Sequence, residues 1–226
     1  MTISFPSKLL LLPLIVLSAL IAIAAQSGLG FVPPSFAFIA KPLTTVLLIA
    51  FAWPRGRTSP LPRRWVLIGL AFSLLGDIAL LWPVKGFLIG LLAFLAAHLS
   101  YLWAFTRVQR LAAWPWPFLA YGLLAAAILS QLWPGVPTAL RAPGVAYVIC
   151  LSAMGAQAAV LGWRARGTAG SRRGALLALG GLLFVISDAL LATNKFAGPL
   201  PLASVWVLST YWAAQGCIVG WLGARR

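Results

Sequence analysis

The sequence predicts an all-α polytopic membrane protein of about eight transmembrane helices, on three observations. Of its 226 residues, 62% are apolar and only 8% charged, where soluble domains carry roughly 25% charged residues. Apolar runs of about 20 residues recur along the whole length, each long enough to cross ~30 Å of hydrocarbon as a helix. Gly, Pro and Arg punctuate these runs and leave no linker long enough to fold separately. Residues 1–226 therefore read as a single integral membrane domain.

The spans run near 8–26, 35–53, 64–83, 87–106, 115–133, 143–163, 173–193 and 200–222. Lys8 precedes the first, whose small residues near Ala24 give it the look of a signal peptide. Its apolar stretch is long for that role, so a retained helix is expected. The second runs from the Pro33–Pro34 pair to Trp53, and the third from Arg64 to the Trp82–Pro83 corner. The fourth lies between Gly86 and Arg107, and the fifth between Pro115 and Trp133. Pro143 and Arg164 bracket the sixth, Arg173 opens the seventh, and the eighth ends before Gly223.

Charge sets the orientation. Lys85, Arg141 and Lys195 follow the odd-numbered spans, whereas Arg55, Arg57, Arg63, Arg64, Arg107, Arg110, Arg164, Arg166, Arg172 and Arg173 follow the even ones. With Lys8, Arg225 and Arg226 the asymmetry is 13 basic residues to 3, which by the positive-inside rule puts both termini in the cytoplasm. The net charge of +15 forms no basic face, so no nucleic-acid partner is expected. Cys150 and Cys217 fall inside apolar segments and read as small buried residues, not as a disulfide.

The only two acidic residues, Asp77 and Asp188, both lie inside spans. GLAFSLLGDIALL from Gly69 aligns on its aspartate with GGLLFVISDALLA from Gly180. Gly69 then matches Gly180, and Gly76 matches Ser187. Four spans separate the aspartates, which points to two parallel four-helix halves, as in some transporters.

At 1.5 Å per residue both aspartates lie roughly 20 Å from the cytoplasmic end, and Lys41 comes out near the same level. His98, Tyr101, Tyr211 and Gln215 extend from mid-membrane toward the cytoplasm, with Tyr211 and Gln215 one turn apart on one face. Asn194 and Lys195 cap the outer end of the seventh span. Such residues could merely lock helix packing, but a charge in lipid costs about 2.5–3.5 kcal/mol even on insertion scales and defaults to function. With His98 as the sole histidine, a three-histidine metal site is excluded; a two-Asp, one-His site stays open. The tryptophans mostly flank spans, as interfacial belts do.

KPLTTVLL at Lys41, LLGDIALL around Asp77, FLAAHLSYLWAF around His98, FVISDALLATNKF around Asp188 and YWAAQ at Tyr211 occur in that order. Together they resemble the YhhN-like lysoplasmalogenase family across essentially the whole chain. The resemblance implies a multi-spanning enzyme that cleaves the vinyl ether of lysoplasmalogen to a fatty aldehyde and a glycerophospho-ethanolamine or -choline. It implies a lysophospholipid substrate among membrane lipids, no cofactor, and an integral location in a bacterial inner membrane. It carries catalytic roles onto Asp77 and Asp188, and supporting or substrate-binding roles onto Lys41, His98, Asn194, Lys195, Tyr211 and Gln215.

Vinyl ethers hydrolyse by protonation of the β-carbon to an oxocarbenium ion, addition of water and collapse of the hemiacetal. That route needs a proton donor and an anion, a split that two carboxyl groups in unlike surroundings provide. A proton-coupled transporter would also use buried Asp, Lys and His, and a non-catalytic lipid-binding protein would tolerate loss of either carboxylate.

Overall fold

Proline stands at the approach to half of the helices. A computed structural model describes residues 8–82 and 84–223, with side chains from Leu10 onward. Arg225, Arg226 and the side chain of Lys8, counted above for the cytoplasmic side, lie outside the described residues. Eight α-helices follow in order: α1 (Lys8–Gln26), α2 (Ala37–Ala52), α3 (Pro60–Ala79), α4 (Phe87–Thr106), α5 (Trp116–Leu132), α6 (Thr138–Arg164), α7 (Ser171–Phe196) and α8 (Ala203–Trp221). A short 3-10 turn at Pro34–Phe36 leads into α2, and Pro60, Pro117 and Pro137 stand at or beside the starts of α3, α5 and α6. There the missing N–H forfeits nothing, because the first N–H groups of a helix have no intrahelical partner.

The expected spans and the helices agree to a few residues, with two instructive differences. Pro143 looked like a start, yet α6 begins at Thr138 and carries Pro143 inside it. On α7 the helix runs on to Phe196, so Asn194 and Lys195 belong to its last turn. Among the described residues five helices, α2 and α4 to α7, are long and apolar enough to cross a membrane. Arg63 and Arg64 near the start of α3, and Ser, Thr and Gln along α8, hold those two to a lower mean hydropathy.

Packing follows one order twice. Helix α1 packs on α2, α2 on α3 and α3 on α4; α5 packs on α6, α6 on α7 and α7 on α8. The two sets join through α4 against α6 and through α8 against α2 and α1; the α8–α2 contact matches α4–α6, whereas α8–α1 has no comparable counterpart between α4 and α5. Gly69 and Gly180, aligned in sequence, do equivalent jobs. A Cβ on Gly69 would stand 2.3 Å from the Tyr101 ring on α4, and one on Gly180 would stand 2.9 Å from Cys217 Cβ on α8. These pairings fit the two four-helix halves read from the sequence.

The outer surface is apolar, and the polar residues of the spans are buried within a largely apolar core. Lys41, Thr44, Thr45, Ser73, Asp77, His98, Ser187 and Gln215 are buried, while Leu12, Val16, Leu20, Leu119, Leu123 and Ile149 are exposed. In water such a surface would be an aggregation site; in lipid it is the expected contact face. Cys150 and Cys217 are free thiols.

Candidate active site

Two glycines on each of α6 and α7 decide how close those helices come. A Cβ on Gly181 would stand 2.8 Å from Ala158 Cβ, and one on Gly162 would stand 2.7 Å from Ala178 Cβ. Gly155 and Gly174 complete the seam: a Cβ on Gly174 would stand 3.3 Å from Gly162 Cα, and Gly155 Cα lies 3.2 Å from the Cβ site of Gly181. Small residues let helices approach in lipid, where no hydrophobic force drives them together. The close approach brings Tyr147 of α6 onto Asp188 of α7, with the Tyr147 hydroxyl donating to Asp188 Oδ2 at 2.6 Å.

His98 enters from α4, which packs on α6. Its Nε2 lies 3.6 Å from Asp188 Oδ2, too far for a hydrogen bond, and neither ring nitrogen has a hydrogen-bond partner. The ring is fully buried and meets Tyr147 and Phe184 edge to face, with centroids 5.2 and 4.6 Å away. A buried polar group without a partner costs about 1–3 kcal/mol. The imidazole thus stands without a hydrogen-bond partner beside a carboxyl group.

Asp77 on α3 belongs to a second cluster. Thr45 of α2 donates to its Oδ2 at 2.6 Å and Tyr211 of α8 at 2.9 Å. Lys41 Nζ stands 4.0 Å from Oδ1. Beyond Tyr211 the bonds continue: Gln215 Nε2 donates to the Tyr211 hydroxyl at 3.1 Å, and the Tyr101 hydroxyl to Gln215 Oε1 at 2.7 Å. Tyr101 and Ser73 share the last hydroxyl contact at 3.3 Å. An anion-accepting network with a cation beside it is what a buried carboxylate requires. The clusters are linked by packing: Tyr211 touches Phe184, centroid to centroid 5.6 Å, and Phe184 touches His98.

The aspartates differ in access. The Asp77 side chain is 1% exposed and that of Asp188 is 11%. Asp188 and Tyr147 line a cavity between α4, α5, α6 and α7 with room for about 120 Å³ of solvent. Apart from Arg141 and Ser152 its other walls are apolar, among them Phe94, Leu129, Val148 and Val185. Asp77 is not among the residues that line it.

Of the residues singled out from sequence, Lys41, Tyr211 and Gln215 gather on Asp77, and His98 on Asp188. Asn194 sits elsewhere, its Oδ1 accepting the Leu200 N–H at 2.8 Å and so tying the α7–α8 loop to the last turn of α7. Lys195 lies over the Phe87 ring at 5.0 Å. Tyr147, Thr45 and Arg141 escaped sequence reasoning. The Asp–Asp–His set is not assembled, and among the described residues no three His, Cys, Asp or Glu side chains could hold a metal ion together.

Known proteins resemble this chain over most of its length. It is 34% identical over 185 residues to lysoplasmalogenase TMEM86B of Homo sapiens, covering 80% of this chain and 72% of that protein. To lysoplasmalogenase TMEM86B of Sus scrofa it is 41% identical over 155 residues, 65% of this chain and 58% of the relative. A lysoplasmalogenase of Mycobacterium tuberculosis is 30% identical over 170 residues, 71% of this chain and 59% of the relative. The chain thus spans less than two thirds of the pig and mycobacterial relatives. No solved structure matches. The family profile described as YhhN matches residues 36–222, a stretch that holds both aspartate clusters and the cavity, and the chain belongs to the YhhN family.

Proposed function

We propose that this protein is a membrane hydrolase that cleaves the vinyl ether bond of lysoplasmalogen or a closely related alkenyl lysolipid, releasing a fatty aldehyde. The relatives carry that activity in their names. One observation carries the chemistry: Asp188, held by Tyr147 and flanked by His98, borders an apolar cavity.

In this reading the Asp188 carboxyl group gives its proton to the β-carbon of the vinyl ether, leaving an oxocarbenium ion beside its own carboxylate. The carboxylate stabilises that cation and takes a proton from the water that adds to the α-carbon. The hemiacetal collapses to aldehyde and glycerol hydroxyl, and Asp188 is protonated again. His98, at 3.6 Å, exchanges protons with Asp188. Tyr147 fixes the carboxyl rotamer through its 2.6 Å bond. Asp77 acts as a positioning residue: it holds Tyr211, which packs Phe184 against His98. Cytoplasmic termini are the orientation that the loop charges support.

The test uses three lysolipids with one head group and alkenyl ether, alkyl ether or ester linkage, given to detergent-purified protein with and without EDTA. Aldehyde should form from the alkenyl ether alone. Fatty acid from the ester or cleavage of the alkyl ether would overturn the oxocarbenium route. The twofold order of helix packing also suits a proton-coupled transporter. A transporter in detergent yields no aldehyde, so the same assay separates the two.

A further inference from the structure

Two charged side chains line the cavity between α4 and α7, and they do not meet. Asp188 is one; Arg141 is the other, and every remaining wall residue is uncharged. Two opposite charges in a low-dielectric cavity attract strongly if they can touch. Here the helix prevents it. Arg141 lies in the first turn of α6, six residues before Tyr147, the hydroxyl donor to Asp188, a rise of about 9 Å. The guanidinium is half-buried, with Nε donating to Val136 O at 3.4 Å and the Trp133 ring 5.1 Å from its central carbon. Neither Nη nitrogen has a hydrogen-bond partner among the described residues.

We infer that Arg141 is the phosphate-binding residue of this site, so that the cavity takes a lysolipid by its phosphodiester at one end and its alkenyl ether at the other. The inference rests on the hydrolase reading for the identity of the lipid, but not for the binding it predicts. The chemistry matches in three places. Five bonds of the glycerol bridge separate the ether oxygen from phosphorus, a length that the arginine side chain and the 9 Å rise together accommodate. The planar guanidinium offers two parallel N–H groups to a phosphate, a geometry that lysine cannot copy. Between the two charges lies the glycerol, and past Asp188, on the side away from Arg141, the wall consists of residues such as Leu151 and Val185, which accept the hydrocarbon that starts at the ether. Ethanolamine and choline lipids share the phosphodiester, so Arg141 does not choose between them. It discriminates against alkenylglycerols that have no phosphate.

The experiment measures two things on the full-length purified protein, its Arg141→Gln variant and its Arg141→Lys variant. One is binding of the uncleaved alkyl-ether lysophospholipid and of the matching alkylglycerol, which lacks phosphate. The other is aldehyde release from the corresponding alkenyl lipids. Arg141→Gln should weaken binding of the phospholipid and raise its KM at least tenfold while leaving kcat within a few-fold. The phosphate-free lipid should bind and turn over as it does with wild type. Arg141→Lys should fall between. Because the phosphate-free lipid is an internal control, a misfolded variant shows itself by losing both ligands, and Arg141→Lys then carries the comparison. Equal loss of both lipids by a folded variant, or no change in phospholipid binding, would overturn the inference. If wild type binds the phospholipid through Arg141 but releases no aldehyde, the hydrolase reading fails and the phosphate site stands.

Discussion

Asp188 and Asp77 occupy matching places on α7 and α3, but their neighbours make them different reagents. Asp188 accepts one hydroxyl bond and faces a cavity; Asp77 accepts two, lies beside Lys41 and is sealed. Asp188→Asn should therefore lower turnover at least ~10²-fold, the usual scale of lost general acid–base catalysis, while the alkyl-ether lysolipid still binds. Steady-state aldehyde release and equilibrium binding on the same preparation check both halves. Asp77→Asn leaves Lys41 buried without its partner, which costs about 3–5 kcal/mol, so the thermal midpoint in detergent should fall. Adding Lys41→Met should restore the midpoint, because removing both charges of a buried pair is often neutral. If Asp77 positions the site through Tyr211, turnover stays at least tenfold down in the restored double variant. Full activity there would reduce the cluster to packing alone. The aspartates, Lys41 and His98 were legible in the sequence because ionisable groups stand out in an apolar run. Thr45 was not, since a Ser or Thr hydroxyl in a membrane helix commonly bonds its own backbone, as Thr44 bonds Ala40 O at 2.8 Å; nor was Tyr147, since a tyrosine in a span serves as readily for aromatic packing as for a hydrogen bond. Arg141 was read only as a loop charge, and its place on the cavity depends on how α6 packs.

Among the helices, the α6–α7 seam has the most direct bearing on the site. Gly155 and Gly162 on one side, Gly174 and Gly181 on the other, are each seven residues apart, two turns on one face. Gly181→Val would drive methyl groups into Ala158 and the backbone of Gly155. Overpacking of this kind costs about 1–3 kcal/mol, and here it also parts Tyr147 from Asp188. Activity should drop further than stability, and by more than for Gly122→Val on α5, where nothing lies within 4 Å of the Cβ site. Paired thermal melts and aldehyde assays on the two variants make the comparison. Helix number and order could be read from hydropathy and punctuation. The extra turn at the start of α6 could not, because a proline near a helix start looks the same just outside the helix and just inside it. Nor could the partner of each helix be read: apolar residues line lipid-facing and buried faces alike, so periodicity gives no inward direction.

For the whole molecule, loop charge and interfacial aromatics act together. Arg63 stacks over Trp53, Arg107 over Trp103 and Arg166 over Trp163, with guanidinium carbons 5.5, 4.0 and 3.9 Å from the ring centroids. These pairs lie at the ends of helices on the arginine-rich side, where rings and guanidinium groups anchor a bundle at head-group level. A single cysteine placed at position 85 should be labelled by an impermeant thiol reagent from outside intact cells, and one at position 57 only after lysis. The reverse pattern would invert the orientation and put the Arg141 end of the cavity on the cytoplasmic side. Helix α5 forms one wall of that cavity and buries only Pro117 and Leu132, so a single, thinly supported helix stands between the reacting bond and the surrounding lipid. The two products of the proposed reaction prefer different phases. A long-chain aldehyde dissolves in the bilayer through that wall, and a glycerophosphodiester dissolves in water at the arginine end. Each departs down its own solubility gradient, so the reverse reaction would require two molecules from separate solvents to return to one cavity together.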